Sequence, residues 1–134
     1  MSAERDLGAL LRGMRPEWNE GRFVFCTLPG ETAVPEGLHP VATVLEPEGI
    51  TLVLPQDTAD AAGLRYDYVA GWITLRVHSA LDAVGLTGAF AAELAAHGLS
   101  CNVIAGFHHD HLFVPEERAA EAVAVLEALA ARSA

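Results

Sequence analysis

Apolar residues at Leu7, Leu10, Leu11 and Met14 recur at i, i+3, i+4 and i+7. That spacing lines one face of a helix, so the chain is expected to open with an amphipathic helix, capped by Ser2 and stopped by Gly13. The run RFVFCTL, residues 22–28, is aromatic and β-branched between Gly21 and Pro29-Gly30. It reads as a strand buried on both faces. Residues 29–40 hold three prolines and two glycines without a period, and are expected to form a loop. In VATVLEPEGITLVLP two apolar runs flank Glu46-Pro47-Glu48-Gly49. Proline early and glycine late predict a β-turn, and with it a hairpin. QDTADAAGL allows a short helix that Gly63 stops.

The second half is more regular. WITLRVH, residues 72–78, alternates strictly, with Ile73, Leu75 and Val77 on one side and Trp72, Thr74, Arg76 and His78 on the other. Such a strand places one face on a core. Leu86, Phe90 and Leu94 follow at four-residue steps and predict a helix over 85–97, closed by Gly98. LSCNVIAGF and HLFVP read as two strands. From Pro115 a helix begins, with Glu116 and Glu117 at its start, Arg132 near its end, and a buried stripe of Ala119, Ala122, Val123, Leu126 and Leu129/Ala130.

Residues 72–131 therefore read strand–helix–strand–strand–helix, a ferredoxin-like βαββαβ unit short of its last strand. Residues 22–70 repeat the plan with the proline-rich loop in place of the first helix and LRYDYVA as a candidate closing strand. The expected fold class is α+β: two tandem ferredoxin-like modules, residues 1–70 and 71–134, with antiparallel sheets and helices on one face. The absent last strand leaves an edge that a partner or the other half has to cover.

Composition narrows the partners. The 134 residues are 51% hydrophobic, enough for one domain or two small modules sharing a core. Eighteen acidic residues against eight cationic ones give a net charge of −10. Such a surface repels phosphate backbones, so neither nucleic acid nor an anionic membrane is an expected partner. Cys26 and Cys101 sit in apolar runs and are expected to be buried thiols in a reducing compartment rather than a disulfide. The start of the chain does not read as a signal peptide, and no apolar stretch approaches the roughly 18–20 residues of a membrane span. A soluble, cytoplasmic protein is expected.

Two stretches carry candidate chemistry. The first is His108-His109-Asp110-His111. Adjacent strand residues face opposite ways, so His109 and His111 share one face and His108 and Asp110 the other. Zinc needs three or four converging ligands at helical or loop spacings absent here. The expected reading is a polar, solvent-exposed hairpin turn over Phe107–Asp110, with a metal site or a catalytic site as the competitors. No G-x-S-x-G, phosphate-cradling G-x-x-x-x-G-K or G-x-G-x-x-G occurs, so no enzyme and no cofactor are expected.

The second stretch is DAVGLTG, which puts Asp82 and two glycines at a helix N-terminus. Gly85 permits close backbone approach, and the first-turn N–H groups are unsatisfied donors that favour a carboxylate. Asp82 is placed to pair with an ammonium, and the combination suits an α-amino acid. The competing reading makes Asp82 a helix cap or turn residue without a ligand. A bulkier residue at position 85 is then expected to block binding and leave the fold largely intact.

The segment from Val77 to Leu129, through LDAVGLTG, AAHGLSCNVI and HDHLFVPEERAAEAV, is similar to the ACT domain, a small ferredoxin-like module that binds amino acids and other small effectors. With VFCTLP and EGITLVLP included, residues 7–130 resemble a bacterial family of tandem ACT-domain proteins. The resemblance implies a candidate ligand-binding set of Asp82, Val84, Gly85, Leu86 and Thr87 on the loop and Cys101, Asn102 and Val103 on the following strand. Asn102 matches a position where ACT domains often carry an asparagine that completes a neighbouring module's pocket; the competing reading is a solvated strand residue. The implied function is a non-catalytic regulatory or sensor protein for a small-molecule effector, an amino acid, in a homo-oligomer. The alternative is a structural or oligomerisation module that binds nothing small, and a third reading is a metal-dependent enzyme centred on the histidines.

Overall fold

The computed structural model describes residues 6–77 and 79–133. Helix α1 (Leu7–Gly13) starts at Asp6, whose carboxylate accepts a hydrogen bond from the Ala9 N–H at 2.9 Å. Asp6 thus satisfies one of the orphan donors of the first turn. Ser2, the cap expected from the sequence, lies outside the described residues. Strand β1 (Pro16–Pro29) follows, then a hairpin of β2 (Ala42–Glu46) and β3 (Gly49–Pro55), the short α2 (Gln56–Ala61) and strand β4 (Val69–Leu75). Helix α3 (Leu86–Ala96), strands β5 (Asn102–Ala105) and β6 (Asp110–Pro115), a 3₁₀ turn (Glu116–Arg118) and α4 (Ala119–Arg132) complete the chain.

The chain divides into two compact units. One holds the described residues of Met1–Glu20 and Gly71–Ala134, and the other is Gly21–Ala70. The modules expected at 1–70 and 71–134 share the boundary between residues 70 and 71, but residues 6–20 pack with the C-terminal module.

The reason lies in the strand order of the first unit, in which the start of β1 lies beside β4, then β6, then β5. In a ferredoxin-like sheet the outer strand beside the first one is the last of the chain. Here that place is taken by the beginning of β1. The Arg76 N–H donates to the Arg15 carbonyl at 2.8 Å, and Asn19 Nδ2 donates to the Trp72 carbonyl at 3.2 Å. The edge that looked open in the sequence is covered by residues the hydrophobic pattern did not mark as a strand. Residues 16–21 are polar and begin with proline, a composition that edge positions tolerate.

Beneath this sheet Ile73, Leu75, Leu112 and Val114 pack with Leu10, Met14, Leu86, Phe90, Leu94, Ala122 and Leu126. The predicted inward set of the strand at 72–78 is therefore the helix-facing set, although the strand ends at Leu75 and His78 lies outside the described residues. On α4 the buried stripe is Ala119, Ala122, Val125, Leu126, Leu129 and Ala130, with Val125 replacing the expected Val123.

In the second unit β1 pairs antiparallel with β3 from Phe23↔Pro55 to Pro29↔Gly49, and β3 pairs with β2 from Ala42↔Val53 to Glu46↔Gly49. Val24, Cys26, Ile50, Leu52, Leu54 and Ala59 form its core. LRYDYVA is not a separate closing strand. Its last residues begin β4, which runs without a break from Val69 to Leu75.

Candidate functional site

The loop between β4 and α3, the start of α3, the end of β5 and the first residue of β6 line a solvent-open pocket of about 100 Å³ within the first unit. Its wall contains Gly85, Leu86 and Thr87 from the predicted set, with Ser79 to Leu81, Ala83, Ala105 and Asp110. Asp82 and Val84 are exposed and outside the wall, as is Asn102 at the start of β5. Cys101 and Val103 pack instead against the core.

Two features give the cavity its chemistry. Helix α3 starts from Gly85, which has φ +101° and offers no side chain to cap the first turn. The first intrahelical bond runs from the Ala89 N–H to the Gly85 carbonyl at 2.9 Å, so the N–H groups of Leu86, Thr87 and Gly88 have no partner within the helix. Such a helix start favours an anion. The positive φ corrects one expectation: a side chain at 85 strains the backbone, and its Cβ would sit 3.1 Å from Leu7 Cδ2. A substitution there perturbs the fold as well as the cavity.

The second feature is Asp110. The sequence placed it in an exposed turn with His108 and His109. It is in fact 7% exposed, the first residue of β6, on the same face as Leu112 and Val114. The turn occupies residues 106–109, closed by the Gly106 N–H donating to the His109 carbonyl at 2.9 Å. Among the described residues no side chain or backbone group donates to the Asp110 carboxylate. Burial pushes its carboxyl above the usual carboxylate range, against the opposing pull of His111 and His109. The inward period Asp110, Leu112, Val114 was the signal that should have found it.

The histidines separate. His108 is exposed and meets Phe107 edge-on. His109 has a buried Nδ1 without a hydrogen-bond partner. His111 faces the other side of the sheet, where Trp72 Nε1–H donates to its Nδ1 at 3.1 Å and Thr74 Oγ1 lies 3.2 Å away. An indole N–H can only donate, so His111 Nδ1 is unprotonated and its one lone pair accepts from Trp72, with the Thr74 hydroxyl beside it. Asn19 Nδ2 in turn donates to Thr74 Oγ1 at 2.9 Å, which accounts for a threonine only 6% exposed on that face. Among the described residues no three His, Cys, Asp or Glu are grouped to hold a metal. Both cysteines are free thiols, and burial pushes Cys101 up to about 11.

This network predicts a pH effect. Burial, and then the charge of His109, hold His111 below its ordinary value of 6.5, against Asp110. The unfolded chain then binds the proton more readily than the folded one. Stability from this group is complete above about pH 6.5 and is lost as pH falls toward the lower folded value. Melting temperatures of the native chain and of His111→Gln between pH 5 and 8 are expected to diverge below pH 6.5, the native chain losing more. Parallel curves would remove His111 as the source.

The comparisons with known proteins agree with this architecture. The sequence profile of the ACT domain matches twice, over residues 2–71 and 68–128. The chain belongs to the ACT-domain family. ACT domains are regulatory, non-catalytic modules that generally bind small effectors and often oligomerise. A Vibrio cholerae protein of unknown function, described as a possible transport protein, is 50% identical with a TM-score of 0.83, over 92% of this chain and 95% of that one. An Agrobacterium tumefaciens protein is 19% identical with a TM-score of 0.68, over 87% and 89%. The aspartokinase α and β subunits share 10% identity and a TM-score of 0.62, over 86% of this ACT-domain chain and 96% of that one, a likeness of fold. Among curated proteins none matches the chain. No helix among the described residues is long and apolar enough to cross a membrane.

Proposed function

We propose that this ACT-domain protein is a sensor that binds an α-amino acid at the β4–α3 loop and passes that state to a partner. The observation that carries the reading is the pocket itself, whose wall contains both an uncapped helix start and a buried carboxyl. The family supports a small effector. An α-amino acid supplies both the anion that the helix start favours and the cation that a carboxylate favours.

The test is a thermal-shift screen of the purified protein with the twenty amino acids. A ligand at a hundredfold excess over its Kd stabilises the folded state by about 2.7 kcal/mol. One or a few amino acids are expected to raise Tm by several degrees. No shift with any amino acid at millimolar concentration would favour the alternative, an interaction module without a small ligand.

A further inference from the structure

We infer that Asp110, rather than the loop acid Asp82, holds the ammonium of the ligand. The inference rests on the amino-acid reading above and specifies the recognising group.

Geometry separates the two acids. Asp110 is more than nine-tenths buried, belongs to the cavity wall and accepts no hydrogen bond among the described residues. Its oxygens are not among the sealed, unpartnered polar atoms, so they meet solvent rather than a protein donor and are free to take a cation. Asp82 is exposed, outside the wall, and engaged in an interaction of its own. Leu86 and Thr87 line the same wall and begin α3, whose first-turn N–H groups are the complementary donors. An ammonium at Asp110 and a carboxylate at the helix start define one orientation of a zwitterion. The raised carboxyl of Asp110 is what a buried acid shows before a cation reaches it.

The experiment is titration calorimetry with glycine, L-alanine, L-serine, L-leucine, acetate and methylamine on the native chain, Asp110→Asn and Asp82→Asn. At least one of the four amino acids is expected to bind the native chain at least tenfold more tightly than acetate or methylamine. Asp110→Asn is expected to weaken it at least tenfold. Unchanged affinity in Asp110→Asn, or a tenfold loss in Asp82→Asn alone, overturns the assignment. If an amino acid binds but neither acid matters, the amino-acid reading stands and this inference falls; if none of the twenty binds, both fall.

Folding of the variant is checked separately. Asp110 has a folded pKa above its ordinary 3.8, so its stability contribution is full below that value and is lost as pH rises through the folded one. Asp110→Asn is therefore expected to melt at or above the native Tm at pH 7.5, which distinguishes lost recognition from lost structure.

Discussion

Replacing Gly49 with alanine is expected to cost about 3–5 kcal/mol of folding free energy, a large part of the roughly 5–15 kcal/mol available to a domain. Gly49 has φ +147°, where an L side chain is strained, and it is buried at the start of β3. A Cβ there would lie 2.3 Å from the Leu28 carbonyl oxygen and 2.8 Å from Pro29 Cα. Both contacts are with backbone, in the strand that Gly49 faces through its pairing with Pro29. Neither can move without displacing the β1–β3 ladder. Gly30, with φ +75° and open space at its Cβ, is the control, and alanine there should lose only about 1–2 kcal/mol. Urea denaturation of both variants measures the difference. A loss below 1 kcal/mol in Gly49→Ala would mean that the hairpin shifts register without penalty.

The second large effect is expected from Phe90→Ala, a loss of about 3–5 kcal/mol. Phe90 is fully buried at the middle of α3, between Leu86 and Leu94 at four-residue steps. Those three side chains are the buried residues of α3, and the cavity wall begins one turn before Phe90. A void at Phe90 loosens the helix whose start supplies the donors, so ligand-induced thermal shifts should shrink along with stability. Phe107→Ala is the control. That ring is 74% exposed, and its removal should change stability by no more than about 0.5 kcal/mol. Equal losses in the two variants would contradict the burial argument.

The legible parts of the site were those written in local chemistry. Gly85 opening a helix, the four-residue steps of Leu86, Phe90 and Leu94, and the ACT-like run around them are all short-range signals. Residues 85–87 accordingly fall on the cavity wall. Asp110 was misread because it follows a histidine in a polar run, and polarity in a short segment suggests a turn. Its burial is set by β6 lying beside β4, which the sequence of the turn does not encode. His111 was likewise grouped with its neighbours, although its partners Trp72 and Thr74 are more than 35 residues away in sequence and meet it only across paired strands.

The sequence by itself determined the α+β class, the hairpin at Glu46–Gly49, the inward face of Ile73 and Leu75, and the glycine-led start of α3. Each follows from a period of 2 or 3.6 or from a turn that needs glycine. Only the tertiary structure decided that Pro16–Glu20 closes the sheet of the C-terminal module, that one strand runs through Val69–Leu75, and that Asp110 faces the α3 cavity. Those outcomes depend on pairing between segments distant in the chain. A polar edge strand carries no hydrophobic period to announce it, and a carboxylate is buried by what folds over it rather than by the residues beside it.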